Sequence, residues 1–457
     1  MNPVLEQDTS SAPGRTERAL ELLESRRALV LTFILLHAVF LAFLLPAIVT
    51  GDALGDLPLY RQWVMGGVNV NEWPVLSYGW VYPAGALIPI IAATLAGPAS
   101  FQLLWFAMTA TLNAASVSCL VQAAPTGRRR YAGAQWWMVV LLITSPVALL
   151  RLEGIAAPLA IIGLALLARR PFAASIVLSV ATWIKVWPAA ILMTIVASSR
   201  RWVTIAWGAL TVTAGIVVVV SALGGFQFLA SFVTMQSDRT LQVEAPISTA
   251  WLWMSDLRIG DAFIWQDQTL STEEVTGPGA DTAALIMTPL MIVAVASILI
   301  LIIVARRRGV PAATLIVNGS LALSTALVVF NKVGSPQYIL WIAPIVAFGC
   351  ATSWAAWRTP AILTLVIATL TSLVFPVFYM PLLDGDLAAA SILTARNALL
   401  IALLAWSVRN LALLGRAALP VREAADGKRS VPSLAEPVPE SAPLVLSVER
   451  RSPFRNQ

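Results

Sequence analysis

Residues 28–61 read ALVLTFILLHAVFLAFLLPAIVTGDALGDLPLYR, and this stretch decides the fold class. Residues 28–49 carry no charged side chain, and a helix needs about 20 apolar residues to cross the hydrocarbon core of a bilayer. The run lacks a small-residue cleavage site before polar sequence, so it predicts a retained transmembrane helix and not a cleaved signal peptide.

The composition of the whole chain agrees with this first run. Of its 457 residues, 58% are hydrophobic and 12% are charged, whereas a soluble domain has about 45–50% apolar and about 25% charged residues. A soluble globular protein and a disordered protein are thereby excluded. The net charge of +6 does not indicate nucleic-acid binding, because in a membrane protein the position of the basic residues matters more than their number. We expect an all-α polytopic membrane protein with no nucleic-acid partner.

Apolar runs along the chain predict about 12 membrane crossings, two of them short. Lys185 and Pro188 lie near the middle of 171–199, which favours a hairpin of two short helices, 171–184 and 187–199. The run 83–97 is too short to cross and is predicted to be an interfacial or re-entrant helix. The remaining predicted spans are 28–49, 100–123, 134–150, 153–168, 203–223, 284–305, 311–330, 338–356, 360–378 and 388–412.

Charge predicts the orientation of these spans. With the N-terminus in the cytoplasm, the clusters at 128–130, 169–170, 200–201 and 306–308 all fall inside, as the positive-inside rule requires. Residues 1–27 then form a cytoplasmic N-terminal segment, 28–412 the transmembrane domain, and 413–457 a disordered cytoplasmic tail. The acids between residues 28 and 412 all fall on the outer side: Asp52, Asp56, Glu72, Glu153, Asp238, Glu244, Asp256, Asp261, Asp267, Glu273, Glu274, Asp281, Asp384 and Asp386. We expect a multi-pass plasma-membrane protein whose polar chemistry lies outside.

Metal and cofactor chemistry is not expected. The chain has two cysteines, Cys119 and Cys350, and one histidine, His37, all within apolar runs, so four-thiolate metal sites are excluded and histidine sites are disfavoured. Asp384 and Asp386 resemble a metal-binding Asp-x-Asp pattern, but short outer turns often contain such residues. No metal and no other cofactor is predicted.

Two long outer loops, 51–82 and 224–283, are the predicted place for function, because long loops in a compact fold are usually functional. Basic residues are disfavoured on the outer side, so those found there are expected to hold an anion, or alternatively to pair with nearby acids or snorkel. These residues are Arg61, Arg151, Lys185, Arg239, Arg258, Lys332 and Arg396. Asp56 follows the first helix closely, where a carboxylate can accept a proton from an alcohol.

Five motifs, in order and all on the predicted outer side, resemble those of the GT-C glycosyltransferases, specifically glycosyltransferase family 87. They are Asp56 with Tyr60, Tyr82-Pro83, Lys185-Val186-Trp187-Pro188, the stretch from Gln236 to Glu244, and Ser335-Pro336-Gln337-Tyr338. The family includes actinobacterial polyprenol-phosphate-mannose-dependent mannosyltransferases of phosphatidylinositol mannosides, and related members transfer arabinofuranose. The chain departs from the pattern at Ala84, where the family often has a second proline, and in its late outer turn, which lacks the histidine of the mannoside-specific members.

The resemblance implies transfer of a hexose, mannose by this resemblance, from a polyprenyl-phosphate sugar to a glycolipid or cell-envelope glycan at the outer face, with inversion. It implies Asp56 as general base, with Asp52 as the rival, and Arg239, Lys185 and Lys332 as ligands of the donor phosphate. Gln242 and Glu244 are expected to orient Arg239 or bind sugar hydroxyls. The full set of residues implied to bind sugar or acceptor is Asp52, Tyr60, Arg61, Tyr82, Glu153, Gln242, Glu244, Gln337 and Tyr338. Membrane lipids are the other expected partners.

Two other functions remain open from the sequence. Twelve crossings are typical of secondary transporters, although these usually show two related halves and midplane ionisable residues, and no repeat is evident between 28–223 and 284–412. A lipid-linked polysaccharide ligase or polymerase would share the helices and the outer carboxylates, with a diphosphate-linked oligosaccharide as donor.

Overall fold

The computed structural model describes residues 25–127, 129–237, 239–268 and 272–418. The expectations for most of the N-terminal segment, for Arg128 and Asp238, and for residues 419–457 of the tail lie outside the described residues. Within the described part, the chain is mainly helical, with a small sheet in the second long loop.

The helices, in chain order, are α1 (Arg26–Thr50), α2 (Leu57–Val70), α3 (Leu87–Ala92), α4 (Phe101–Ala123), α5 (Ala132–Thr144), α6 (Glu153–Leu166), α7 (Pro171–Ile184), α8 (Ala189–Ser198), α9 (Trp202–Ala222), α10 (Ser231–Ser237), α11 (Thr249–Asp256), α12 (Ala280–Arg307), α13 (Ala312–Val329), α14 (Ile339–Thr352), α15 (Trp354–Ser372), α16 (Tyr379–Leu383) and α17 (Leu387–Ala417). Short 3-10 turns lie at Ala84–Ala86, Pro98–Ser100, Phe226–Phe228, Pro246–Ser248 and Pro336–Tyr338, and a π-helical turn at Leu373–Val377.

Seven of the helices in the described chain are long and apolar enough to cross a membrane: α1, α4, α9, α12, α13, α15 and α17. They confirm the class of an all-α membrane protein, and they coincide with seven of the predicted spans. The last of these helices ends at Ala417, five residues beyond the predicted end of the transmembrane domain at 412. The domain bounds stay a prediction.

The five shorter predicted spans form helices of 10–17 residues, α5 to α8 and α14 with its preceding turn. The predicted hairpin in 171–199 is present: α7 ends at Ile184, Lys185 is extended, and Pro188 begins the next turn. Helix α5 stops at Thr144 and not at 150, because Pro146 holds the preceding Ser145 in an extended conformation. The count of twelve crossings stays a prediction.

The first membrane helix is capped at both ends by the residues that flank it. The Ser25 hydroxyl accepts a hydrogen bond from the amide of Ala28 at 3.1 Å and so caps the first turn. At the other end Gly51 adopts a left-handed conformation, with φ of 74°, and donates to the carbonyls of Ala47 and Ile48. The chain therefore leaves α1 sharply and enters the first long loop.

The connections between helices gather at two ends of the bundle. At the end that contains Asp56, called here the Asp56 end, the Trp80 amide donates to Ser231 Oγ at 2.8 Å and so joins the two long loops. At the opposite end, Arg201 donates to the Ala168 carbonyl at 3.5 Å and Arg306 to the Ala197 carbonyl at 3.2 Å. All described acids between 28 and 412 belong to segments of the Asp56 end.

The second long loop contains a three-stranded antiparallel sheet that the sequence did not predict. Its strands are β1 (Leu241–Gln242), β2 (Phe263–Asp267) and β3 (Thr272–Thr276), in the order β1-β3-β2. Gln242 pairs with Glu274 in the centre of the sheet. Leu241 and Val275 of the sheet share one buried cluster with Ala390 and Leu393 of α17, so the loop is packed onto the bundle.

Candidate active site at the Asp56 end

Asp56 lies just before α2. It makes no capping hydrogen bond, although it occupies the N-cap position. Its Oδ1 lies 3.2 Å from Nη2 of Arg151, and its Oδ2 accepts a hydrogen bond from the hydroxyl of Tyr60 at 3.5 Å. The Asp56 side chain is still 26% exposed, so an incoming hydroxyl group can reach it.

Arg151 links the base candidate to the turn at residues 335–338. It lies in the connection between α5 and α6, and its Nη1 donates to Gln337 Oε1 and, at 3.4 Å, to Ser335 Oγ. The guanidinium also lies 5.5 Å from the ring centroid of Phe375. The sequence counted Arg151 among the outer basic residues but did not select it as a site residue.

A second ion pair lies next to the first. Lys185 Nζ is 3.1 Å from Glu153 Oε1, and the Glu153 side chain is 1% exposed. The extended conformation of Lys185 at the break between α7 and α8 turns its side chain toward the first residue of α6. The same Glu153 oxygen accepts a bond of 3.5 Å from Trp341 Nε1, and the Lys185 ammonium lies 4.4 Å from the Tyr82 ring centroid.

These four groups, two acids and two cations, form one cluster, called here the charge cluster: Asp56, Arg151, Glu153 and Lys185. Burial raises the pKa of Asp56 above its ordinary value. Arg151 opposes this rise, Glu153 adds to it, and Lys185 and the Tyr60 hydroxyl oppose it more weakly. The carboxylate is therefore a somewhat stronger base than a carboxylate in water.

Glu244 forms an ion pair that the sequence did not predict. It pairs with Arg396 of α17 at 3.0 Å and not with Arg239, because β1 and the following turn direct it into the bundle. Gln242 is buried in β1, and its Oε1 has no hydrogen-bond donor among the described residues. The Nε of Arg239 is likewise buried without an acceptor in the described part of the chain. The positive charge of Arg239 is close enough to the Tyr338 hydroxyl to interact with it electrostatically.

Several predicted site residues lie beside the charge cluster or away from it. Asp52 is exposed and accepts a hydrogen bond of 2.7 Å from Thr50 Oγ1. Arg61 donates to the Gly51 carbonyl at 2.6 Å. Both therefore stabilise the end of α1. Lys332 is buried beside β1, where its carbonyl accepts a hydrogen bond from the Gln242 amide at 3.0 Å. Tyr338 packs on Trp341 with 4.0 Å between ring centroids.

The residues considered for metal binding have other contacts. Among the described residues, no group of three or more His, Cys, Asp or Glu side chains is arranged to hold a metal ion. Asp386 accepts a hydrogen bond of 2.8 Å from the Ala389 amide and so caps α17. His37 is buried in α1, where its Nδ1 forms a hydrogen bond of 2.9 Å with the Phe33 carbonyl and its ring stacks on that of Phe33.

Comparison of the chain with protein-family models, curated proteins and solved structures finds no match. The resemblance to the GT-C glycosyltransferases therefore depends on the five motifs. Four of these motifs contribute to linked contacts around the charge cluster, through Tyr60 with Asp56, Tyr82 with Lys185, and Gln337 with Arg151.

Proposed function

We propose that the chain is a membrane glycosyltransferase that transfers a hexose, mannose by resemblance, from a polyprenyl-phosphate sugar to a glycolipid or cell-envelope glycan. One observation carries the proposal. At one end of a bundle of apolar helices, the partly exposed Asp56 carboxylate is held 3.2 Å from Arg151 and next to the Lys185–Glu153 pair. An acceptor hydroxyl and a lipid-borne phosphate sugar can meet at that depth, because the phosphate of a membrane lipid lies at the end of its apolar tail.

In the proposed reaction, Asp56 removes the proton of the acceptor hydroxyl as the oxygen attacks the anomeric carbon. The bond from that carbon to the phosphate oxygen breaks, and polyprenyl phosphate leaves with the electron pair. The attack comes from the face opposite the leaving group, so the configuration inverts. General-base assistance of this kind contributes about 100- to 10,000-fold to the rate.

Cations near Asp56 supply the stabilisation that the leaving phosphate needs, because charge grows on it in the transition state. Lys185 lies within the charge cluster, and the buried unpaired Nε of Arg239 is a donor available to a phosphate oxygen. Arginine suits bidentate phosphate contact and lysine a point charge. Lys332 is buried beside β1, where its carbonyl accepts a hydrogen bond from the Gln242 amide.

The proposed topology places the Asp56 end outside the plasma membrane and both termini in the cytoplasm, with about 12 crossings. The separation of charge along the bundle supports it. The described acids of the membrane domain belong to the Asp56 end, while Arg201 and Arg306 anchor connections at the opposite end. Basic residues favour the cytoplasmic side of a membrane.

The location of the charge cluster favours an enzyme over a transporter. Transporters bind their substrates near the bilayer midplane, in broken helices. Here Asp56, Arg151 and Lys185 all lie in connections between helices or at helix ends. The loops that carry them are joined by direct contacts, as expected of a surface site.

The test uses the full chain, purified and reconstituted into lipid vesicles, with radiolabelled sugar on three donors. We expect label to appear in an acceptor lipid from a polyprenyl-phosphate sugar, and not from a nucleotide sugar or a diphosphate-linked oligosaccharide. Activity with the nucleotide sugar alone would refute the donor assignment. Uptake of free sugar into the vesicles, without transfer, would favour the transporter.

A further inference from the structure

We infer that Arg151 is a positioning residue that the donor phosphate draws away from Asp56, so that the base is released only when the donor is bound. This inference deepens the proposed function and rests on it. Arg151 would contact the phosphate and would act on the acceptor through Asp56.

The first step of the argument is the charge of the cluster without substrate. Asp56 is paired with Arg151, and Glu153 with Lys185, so the two acids and two cations cancel. A sugar phosphate diester carries one negative charge. A charge brought into a buried neutral cluster is costly unless it is paired. The Nε of Arg239 can meet part of the phosphate charge, but Arg239 is outside the cluster, so a phosphate placed next to Asp56 also draws on a cation of one of the two pairs.

Exposure and contacts decide which pair opens. The Glu153 side chain is 1% exposed, and its oxygen holds both Lys185 and the indole of Trp341. Removal of Lys185 would leave Glu153 buried as an unpaired charge. Asp56 is 26% exposed and can be hydrated when its partner is withdrawn. The Asp56–Arg151 pair is therefore the one that an incoming phosphate can open at lower cost.

The contacts of Arg151 suit such a transfer. Its Nη2 faces Asp56, while its Nη1 donates to Gln337 and Ser335, which are neutral acceptors. These neutral contacts hold the guanidinium in place when Nη2 changes partner. The planar fork of arginine matches two phosphate oxygens, so a small rotation converts the contact with a carboxylate into one with a phosphate.

The consequence for Asp56 follows from its surroundings. The groups that face it are Arg151 before α6, Glu153 in α6, Lys185 between α7 and α8, and Tyr60 in α2. Arg151 is the largest influence that opposes the effect of burial. When the phosphate engages Arg151, the pKa of Asp56 rises further, and the carboxylate is most basic in the complex that needs a base.

The experiment titrates Asp56 directly by difference infrared spectroscopy of the full chain in vesicles. The carboxylic acid band of Asp56 is assigned by its loss in Asp56→Asn. The titration is done without ligand, with polyprenyl phosphate, and with inorganic phosphate, and saturation is measured separately with radiolabelled lipid. We expect saturating polyprenyl phosphate to raise the midpoint by about one pH unit, a tenfold change in proton affinity.

Three variants sharpen the test. In Arg151→Met the titration midpoint of Asp56 should already be raised without ligand, and polyprenyl phosphate should then shift it little. Arg151→Lys keeps a positive charge and should retain part of the shift, and it also serves if the methionine variant fails to fold. Arg201→Met, at the opposite end of the bundle, should titrate as the unmodified chain does. A shift with inorganic phosphate alone would support the transfer of Arg151 and show that the lipid tail is not needed.

An unchanged midpoint at proven saturation would overturn the inference, as would an Arg151→Met variant that titrates like the unmodified chain. Sugar transfer is measured on the same preparation. Normal transfer without a shift would refute only the role of Arg151. A normal shift without transfer from any polyprenyl-phosphate sugar would refute the proposed function and leave a lipid-phosphate site.

Discussion

Arg396 of α17 and Glu244 of the second long loop form a buried ion pair, with 3.0 Å between Nη2 and Oε2. Two further bonds lie beside it: Asn397 donates to Thr249 at 2.9 Å, and the Trp253 indole donates to Thr394 at 2.8 Å. Together they fasten the loop to the last membrane helix. Because the same loop carries Arg239 and Gln242, this attachment fixes one wall of the proposed site.

Removal of one member of this pair should destabilise the protein. Arg396→Met leaves the Glu244 carboxylate buried and unpaired, which costs about 3–5 kcal/mol. We expect a clear drop in the temperature of thermal unfolding in detergent. The double variant with Glu244→Gln should regain a large part of the loss, since neither charge then stays unpaired. Arg409→Met, at an exposed position of the same helix, is the control. Equal unfolding temperatures for Arg396→Met and the control would contradict the role of the pair.

Gly334 should tolerate no side chain. The loop backbone passes so close that a Cβ at Gly334 would lie 2.3 Å from the amide nitrogen of Ala245. Gly334→Ala must therefore push the loop away from Lys332 and the late outer turn, which should lower both the unfolding temperature and sugar transfer. The matched control is Gly215→Ala in α9, where a Cβ would meet no described heavy atom within 4 Å. If both alanine variants behave alike, the loop is not seated as described.

The pH dependence of transfer should reveal the environment of Asp56. Burial raises its pKa above 3.8, and only the ionised form can accept the proton, so kcat/KM should fall as the pH drops through this raised value. We expect the acid limb of the profile of kcat/KM against pH to lie above pH 3.8. Constant kcat/KM down to that pH would show that no buried carboxylate acts as the base.

The proposed orientation can be tested by labelling single cysteines in intact cells. Cys119 and Cys350 are first replaced by alanine, and one cysteine is then placed at an exposed position of each end, as Asp261→Cys or Arg200→Cys. A membrane-impermeant maleimide should label the Asp261→Cys chain in intact cells, and the Arg200→Cys chain only after lysis. The reverse pattern would invert the topology and place Asp56 in the cytoplasm.

The sequence predicted the seven long membrane helices and the break at Lys185 because both depend on local features, apolar length and an internal charge next to a proline. It also singled out Asp56, from its position just after the first helix. The small sheet was missed, because β1 is two residues long and the strands lack a clear alternating pattern. Pairs between residues that are distant in the chain cannot be derived from one sequence, and the pair of Arg151 with Asp56 is of this kind. The pair of Glu244 with Arg396 is another, because no local feature of the sequence shows whether Glu244 contacts Arg396 or Arg239.

The most direct test of the central claim compares the transfer rate of Asp56→Asn with that of the unmodified chain, using saturating polyprenyl-phosphate sugar and acceptor. Asparagine keeps the shape of the side chain but cannot accept the proton, so we predict a fall of about 100- to 10,000-fold. Asp281→Asn, an exposed acid of α12, should keep the full rate, and the rival base variant, Asp52→Asn, should lose far less than Asp56→Asn. A folded Asp56→Asn variant that transfers sugar at the unmodified rate would contradict the account.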